Sequence, residues 1–117
     1  MGVGIYIKNI FHDNYEHIHS DVIDFIQQPG LTLVLCDGGN KIKEFNILSN
    51  YLKKQDIIMA HDYCKNKEYF EEYINHKIWN WHEISYKDIE ESIVRNNLSP
   101  LMSDDMARVV WACFQKQ

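Results

Sequence analysis

Two stretches decide the fold of this chain: Leu31–Lys41, LTLVLCDGGNK, and Asp56–Tyr63, DIIMAHDY. Each contains an apolar run of strand length, which is typical of a strand buried on both faces. The first run ends on Asp37, and the second ends on His61 and Asp62. Because the carboxyl ends of parallel strands meet at one edge of an open α/β sheet, we expect these three side chains to lie on the same rim.

The remaining segments continue an alternation of strands and helices. The predicted strands are Gly4–Phe11, Thr32–Cys36, Ile57–Ala60, Ile78–Ile84 and Ala107–Phe114. The predicted helices are Ser20–Gln28, Lys41–Leu52 with Asn40 as its cap, Lys67–Asn75 and Tyr86–Asn97, and Asn97–Asp105 is predicted to be a loop. This order predicts an α/β fold, a Rossmann-like three-layer sandwich with a mostly parallel sheet of about five strands.

Composition favours one globular domain over residues 1–117. A hydrophobic content of 45% is enough for a modest core. The net charge of −5 comes with scattered cations, so no nucleic-acid partner is predicted. The apolar runs are far shorter than the roughly 20 residues that span a bilayer, so no membrane partner is predicted either. Three cysteines without a CxxC pattern favour a reducing cytoplasm.

Asp37, His61 and Asp62 are candidate ligands of a divalent metal. Two carboxylates suit Mg²⁺, Ca²⁺ or Mn²⁺, whereas an imidazole shifts the preference toward Mn²⁺, Fe²⁺ or Zn²⁺. The alternative is structural: Asp37 caps the following helix or holds the turn, and Asp62 caps the next helix. Lys41 is placed either to act on a bound anion or to be a solvated lysine of the first helical turn.

Two further groups of side chains have weaker signals. His12, His17 and His19 are close in sequence, and they either share a metal or are solvated surface residues. Trp79 and Trp81 are two residues apart on a predicted strand and would share one face, as a packed face or a subunit contact.

From Leu31 to Phe114 the chain resembles the C-terminal half of class I S-adenosylmethionine-dependent methyltransferases, especially phage and bacterial members of the cephalosporin-hydroxylase and catechol O-methyltransferase group. TLVLCDGGNK resembles the fourth strand and DIIMAHDY the fifth, and a closing pair of strands lies around IWNWHEI and ARVVWACF. The resemblance implies the family strand order 3-2-1-4-5-7-6, with an antiparallel strand at the C-terminal end.

The resemblance also implies roles for individual residues. In metal-dependent members, an acidic residue after the fourth strand and two adjacent residues after the fifth bind a cation such as Mg²⁺ or Mn²⁺; those positions are Asp37, His61 and Asp62. His61 departs from the acidic residue that is usual there. Asp37 and Gly38 are assigned to S-adenosylmethionine, and Lys41 is the candidate catalytic residue, one position further from the aspartate than the family's lysine.

The family holds its cofactor with a glycine-rich half that precedes the third strand, and this chain is expected to begin at that third strand, Gly4–Phe11. The resemblance therefore implies a methyltransferase-like domain without the usual cofactor-binding half, acting on a small-molecule substrate if it is active. The alternatives are a methyltransferase completed by a partner chain, or a non-catalytic assembly protein with Trp79, Trp81 and Trp111 at an interface. An open edge at Gly4–Phe11 predicts a homo-oligomer, with a dimer favoured.

Overall fold

The computed structural model describes residues 20–117. The predicted strand Gly4–Phe11 and the histidines His12, His17 and His19 lie outside the described residues. The helices are α1 (Ser20–Gln27), α2 (Lys41–Leu48) followed by a 3-10 turn (Ser49–Tyr51), α3 (Lys67–Tyr69) followed by a π-helical turn (Phe70–Ile74), α4 (Tyr86–Arg95) and α5 (Ser103–Ala107). The strands are β1 (Leu33–Cys36), β2 (Ile57–His61), β3 (Leu98–Pro100) and β4 (Trp111–Lys116).

The four strands form one open sheet in the order β1-β2-β4-β3. β1 and β2 are parallel, with Cys36 opposite Ala60 near their carboxyl ends. β4 is antiparallel to both β2 and β3, so the antiparallel C-terminal strand agrees with the prediction. Residues 20–117 thus form a mixed α/β fold with a four-stranded sheet. Among these four strands, β1 and β2 are the only neighbouring pair that is parallel.

The main core lies on one face of the sheet. Alternate side chains of β1 and β2, including Val34, Cys36 and Ile58, are buried against α2 and α4. The side chains between them on β1 point to the opposite face, and Leu33 and Leu35 are each 56% exposed. The prediction that β1 is buried on both faces is therefore wrong. No helix among residues 20–117 is long and apolar enough to cross a membrane.

The predicted strand Ile78–Ile84 is wrong. This segment forms turns, with isolated bridges at Trp79 and Ile84. The carbonyl of Ile74 accepts hydrogen bonds from the amides of Lys77, Ile78 and Trp79, at 3.0, 2.9 and 3.2 Å. These hydrogen bonds curl the chain directly after the π-helical turn, so the alternation of apolar and polar residues in the sequence is not that of a strand.

The predicted loop Asn97–Asp105 is also wrong, since it contains β3 and the start of α5. β3 has only three residues and lies at an edge of the sheet formed by residues 20–117, where Pro100 is tolerated because no further described strand needs its missing amide hydrogen. The last strand starts at Trp111 rather than Ala107. Val110 has a φ of 57°, a left-handed conformation that ends the preceding turns and prevents an earlier start.

Candidate metal centre

The carboxyl ends of β1 and β2 bring together Asp37, His61 and Asp62, which we call the rim site. One possible ligand atom of each lies within 4.8 Å of the other two. His61 Nδ1 is 3.4 Å from Asp37 Oδ1 and 3.3 Å from Asp62 Oδ1. Ligands about 2.1 Å from an ion and at right angles around it lie about 3 Å apart. The two separations from His61 Nδ1 are therefore close to those of neighbouring metal ligands.

The backbone at Asp62 explains why two adjacent residues reach the same site. In a regular strand, successive side chains point to opposite faces, so His61 and Asp62 would diverge. Asp62 instead has a φ of 56°, a left-handed conformation that aspartate tolerates better than most residues. The chain turns there, and the Asp62 side chain enters the protein, where the residue is 4% exposed.

Helix capping does not account for the two aspartates. The side chain of Asn40 caps α2, as predicted, by accepting a hydrogen bond from the amide of Lys43 at 3.1 Å. The side chain of Asn66 caps α3 by accepting one from the amide of Tyr69 at 2.7 Å. The prediction that Asp37 and Asp62 cap these helices is therefore wrong, whereas the alternative that Asp37 holds the turn stays a prediction.

Lys41 contacts the rim site from its buried side. Its Nζ lies 3.1 Å from Asp62 Oδ2 and 3.1 Å from Glu83 Oε2, and it donates a hydrogen bond to the Gly38 carbonyl at 3.2 Å. Burial lowers the pKa of Lys41, but the hydrogen bonds to Asp62 and Glu83 outweigh burial and hold that pKa above its usual value. With the residue only 6% exposed, the interpretation of Lys41 as a solvated lysine is wrong.

Gly38 has both of its backbone polar groups engaged within the chain. Its amide donates to Glu44 Oε1 at 3.1 Å, and its carbonyl accepts from Lys41. A side chain at position 38 would collide with the carboxylate of Glu44. Burial raises the pKa of Glu44, and the hydrogen bonds from the backbone oppose that shift. A side chain at position 38 would thus displace the flexible end of Glu44, whose contact with Gly38 the sequence reasoning missed.

Trp79 also contacts the rim site, which the sequence did not predict. Its indole Nε1 donates a hydrogen bond to Asp62 Oδ1 at 2.9 Å. The rings of Trp79 and Trp111 lie 5.9 and 4.7 Å from that of His61, so two indoles flank the imidazole. Trp81 makes no comparable approach and is 55% exposed. The predicted shared face of Trp79 and Trp81 is wrong because it rested on a strand that does not form.

The donor set of the rim site fits a divalent metal. Two carboxylates and one imidazole converge, and the more buried carboxylate, that of Asp62, is itself oriented by Trp79 and Lys41. Hydrogen-bonded ligands of this kind are usual around protein metals. Comparisons with known protein families, with curated proteins and with solved structures find no match to this chain. Its function has to be argued from the site itself.

Proposed function

We propose that this chain is a methyltransferase-like α/β domain that binds a divalent metal at Asp37, His61 and Asp62. The observation that carries the proposal is the approach of His61 Nδ1 to a carboxylate oxygen of each aspartate, at 3.4 and 3.3 Å. Carboxylate and imidazole ligands together favour ions such as Mn²⁺. An ion bound there would act as a Lewis acid that polarises an oxygen atom of a small-molecule substrate.

The order of the strands supports the methyltransferase-like part of the proposal. If β1 and β2 correspond to the fourth and fifth strands of that family, the order β1-β2-β4-β3 corresponds to 4-5-7-6, with the antiparallel strand between its neighbours. The closing strands would then be β4, which starts within the predicted segment ARVVWACF, and β3, which takes the place of IWNWHEI. A Rossmann-like three-layer architecture is part of this proposal, and fold likeness alone carries no activity.

Calorimetric titration with MnCl₂ tests the metal site. We expect the wild-type chain to bind one Mn²⁺, and the Asp37→Asn variant to bind it about tenfold more weakly or worse, because a neutral amide replaces a charged ligand. Asp24→Asn, at an exposed position of α1, is the matched control and should leave the affinity unchanged. Absence of Mn²⁺ binding by the wild type, or equal affinity in both variants, would contradict the proposal.

S-adenosylmethionine binding belongs to the alternative of a methyltransferase completed by a partner chain. Asp37 and Gly38 are the residues assigned to that cofactor, but both backbone polar groups of Gly38 are taken by Glu44 and Lys41. We therefore propose that this chain alone does not bind the cofactor tightly. Calorimetric titration with S-adenosylmethionine is the test, and micromolar binding by this chain alone would contradict the proposed loss of cofactor binding.

Assembly into a homodimer is a second candidate function, which one observation favours. β1 pairs only with β2 among the described strands, its leucines Leu33 and Leu35 are each 56% exposed, and Leu31 just before it is 76% exposed. Exposed apolar residues on an edge strand are typical of surfaces that pair with another chain. Light scattering at micromolar concentration should give a dimer mass for the wild type and a monomer mass for Leu33→Lys; a monomeric wild type would contradict this candidate.

The cysteines support a reducing, cytoplasmic location as part of the same proposal. Cys36, Cys64 and Cys113 are free and buried. Burial raises the pKa of the Cys36 thiol, so this side chain behaves as a small apolar residue rather than as a nucleophile.

A further inference from the structure

The two carboxylate oxygens of Asp62 have different partners. Oδ1 faces the rim site, where it accepts the indole hydrogen bond of Trp79 at 2.9 Å and lies 3.3 Å from His61 Nδ1. Oδ2 faces the interior and lies 3.1 Å from the Nζ of Lys41. An oxygen atom has room for a metal beside one hydrogen bond, so Oδ1 is able to bind an ion while Trp79 stays in place.

Lys41 is fixed on Oδ2 by its other contacts. Its ammonium also reaches Glu83 Oε2 at 3.1 Å and the Gly38 carbonyl at 3.2 Å. An ammonium has three hydrogen-bond donors, and these three acceptors match that number. The Lys41 side chain is only 7% exposed, so water does not readily replace the acceptors.

We propose that Lys41 restricts Asp62 to one metal-binding oxygen and thereby selects against Ca²⁺; this inference rests on the metal site proposed above. Ca²⁺ takes six to eight oxygen ligands and often binds both oxygens of a carboxylate. Mn²⁺ and Zn²⁺ accept a single carboxylate oxygen beside an imidazole. Lys41 is thus a positioning residue that acts on the ion through Asp62.

The Lys41→Met variant tests the proposal because methionine has a similar length and no donor. The two affinities are measured by separate titrations with MnCl₂ and with CaCl₂. Calorimetry monitors both titrations, and the electron paramagnetic resonance signal of free Mn²⁺ monitors the first as well. The wild type should prefer Mn²⁺ by about 100-fold or more, and Lys41→Met should lower that preference by about tenfold or more by freeing Oδ2 for Ca²⁺. If Lys41→Met does not fold, Lys41→Gln replaces it in the test. Glutamine keeps only a weaker neutral donor, so this variant should lower the preference for Mn²⁺ over Ca²⁺ by about threefold or more.

Lys43→Met is the matched control. It makes the same substitution at an exposed position of α2, so the ratio of the two affinities should stay within about twofold of the wild type. A parallel change of both affinities in the Lys41 variant, with the ratio unchanged, would overturn the inference while leaving the metal site intact. Failure of the wild type to bind Mn²⁺ would instead overturn the proposed function.

Discussion

The two ends of β2 each bury an aspartate beside a lysine, yet the two sites differ in kind. At the amino end, Asp56 is completely buried, and its Oδ2 lies 3.0 Å from the Nζ of Lys53. At the carboxyl end, Asp62 is nearly as buried, and its Oδ2 lies 3.1 Å from the Nζ of Lys41. An aspartate paired with a lysine, at similar burial, therefore lies in a different environment at each end of β2.

The difference lies in the other partners. Asp56 accepts hydrogen bonds from the backbone amides of Thr32 and Lys53, each at 2.8 Å, so fixed main-chain donors of the adjoining connections satisfy it. The partners of the Asp62 carboxylate are the side chains of Lys41 and Trp79, from distant segments, and of the adjacent His61. Asp37, with a side chain 54% exposed, lies beside His61. The amino end is a closed structural site, whereas the carboxyl end keeps surplus negative charge facing solvent. Surplus charge at an open edge is what a cation site needs.

The largest expected effect is on folding, from Asp56→Ala. Removal of Asp56 leaves the Lys53 ammonium without its carboxylate and two backbone amides without their acceptor, so the free energy of unfolding should fall by about 3–5 kcal/mol. Urea denaturation followed by circular dichroism measures it. Asp24→Ala, at an exposed position of α1, should change it by less than about 0.5 kcal/mol. A loss as small as that of the control would show that the amino end is not the structural site described here.

The second prediction uses Mn²⁺ to separate the two ends. At a Mn²⁺ concentration 100 times its Kd, binding to the folded state alone should raise the free energy of unfolding by about 2.7 kcal/mol. Asp56→Asn should lower the stability without metal but keep this gain, whereas Asp62→Asn should lose the gain. Denaturation with and without MnCl₂ compares the three proteins. An equal gain in both variants would place the ion outside the rim site.

Much of the carboxyl end was predictable from the sequence because it depends on local patterns. Apolar runs of strand length gave β1 and β2, and their last residues gave Asp37, His61 and Asp62. The turn and the cap at Asn40 also follow from short-range chemistry, since the capping hydrogen bond to Lys43 spans only three residues.

The partners of Asp62 were not predictable in the same way. Trp79 reaches Asp62 only because the carbonyl of Ile74 gathers three amides after a π-helical turn, a conformation that has no clear sequence signal. Glu83 reaches Lys41 across 42 residues of chain for the same reason. The alternating sequence around Trp79 favoured a strand, and the tertiary hydrogen bonds outweighed that local preference.

The third prediction is Trp79→Phe, which removes the indole donor and keeps an aromatic ring. Loss of a hydrogen bond that orients a metal ligand typically lowers metal affinity about 10- to 100-fold, and we expect that range for Mn²⁺. Trp81→Phe, at a position 55% exposed, is the matched control and should leave the affinity unchanged. Calorimetric titration gives both values. Equal effects of the two substitutions would mean that the hydrogen bond to Asp62 does not position a ligand.

The smallest expected effect on stability comes from backbone strain, which is present at both ends of β2. Gln55, before the strand, has a φ of 76°, and Asp62, after it, has a φ of 56°. Gln55 is exposed, and its backbone amide donates to the Lys116 carbonyl at 2.7 Å, a contact that glycine would keep. Gln55→Gly should therefore raise the free energy of unfolding by about 0.5–1 kcal/mol, since glycine adopts this conformation without steric cost.

Two glycine substitutions complete this test. Lys54→Gly, at the neighbouring exposed position where φ is not positive, should lower the free energy of unfolding by about 0.5–1 kcal/mol through the flexibility that glycine adds to the unfolded chain. Asp62→Gly relieves the same kind of strain as Gln55→Gly, but it deprives the buried Lys41 of a carboxylate, so it should lower stability and abolish Mn²⁺ binding. Urea denaturation gives the sign of each change. A gain of stability in Asp62→Gly would contradict this expectation, because it would mean that the left-handed backbone there costs more than the Lys41 ion pair contributes.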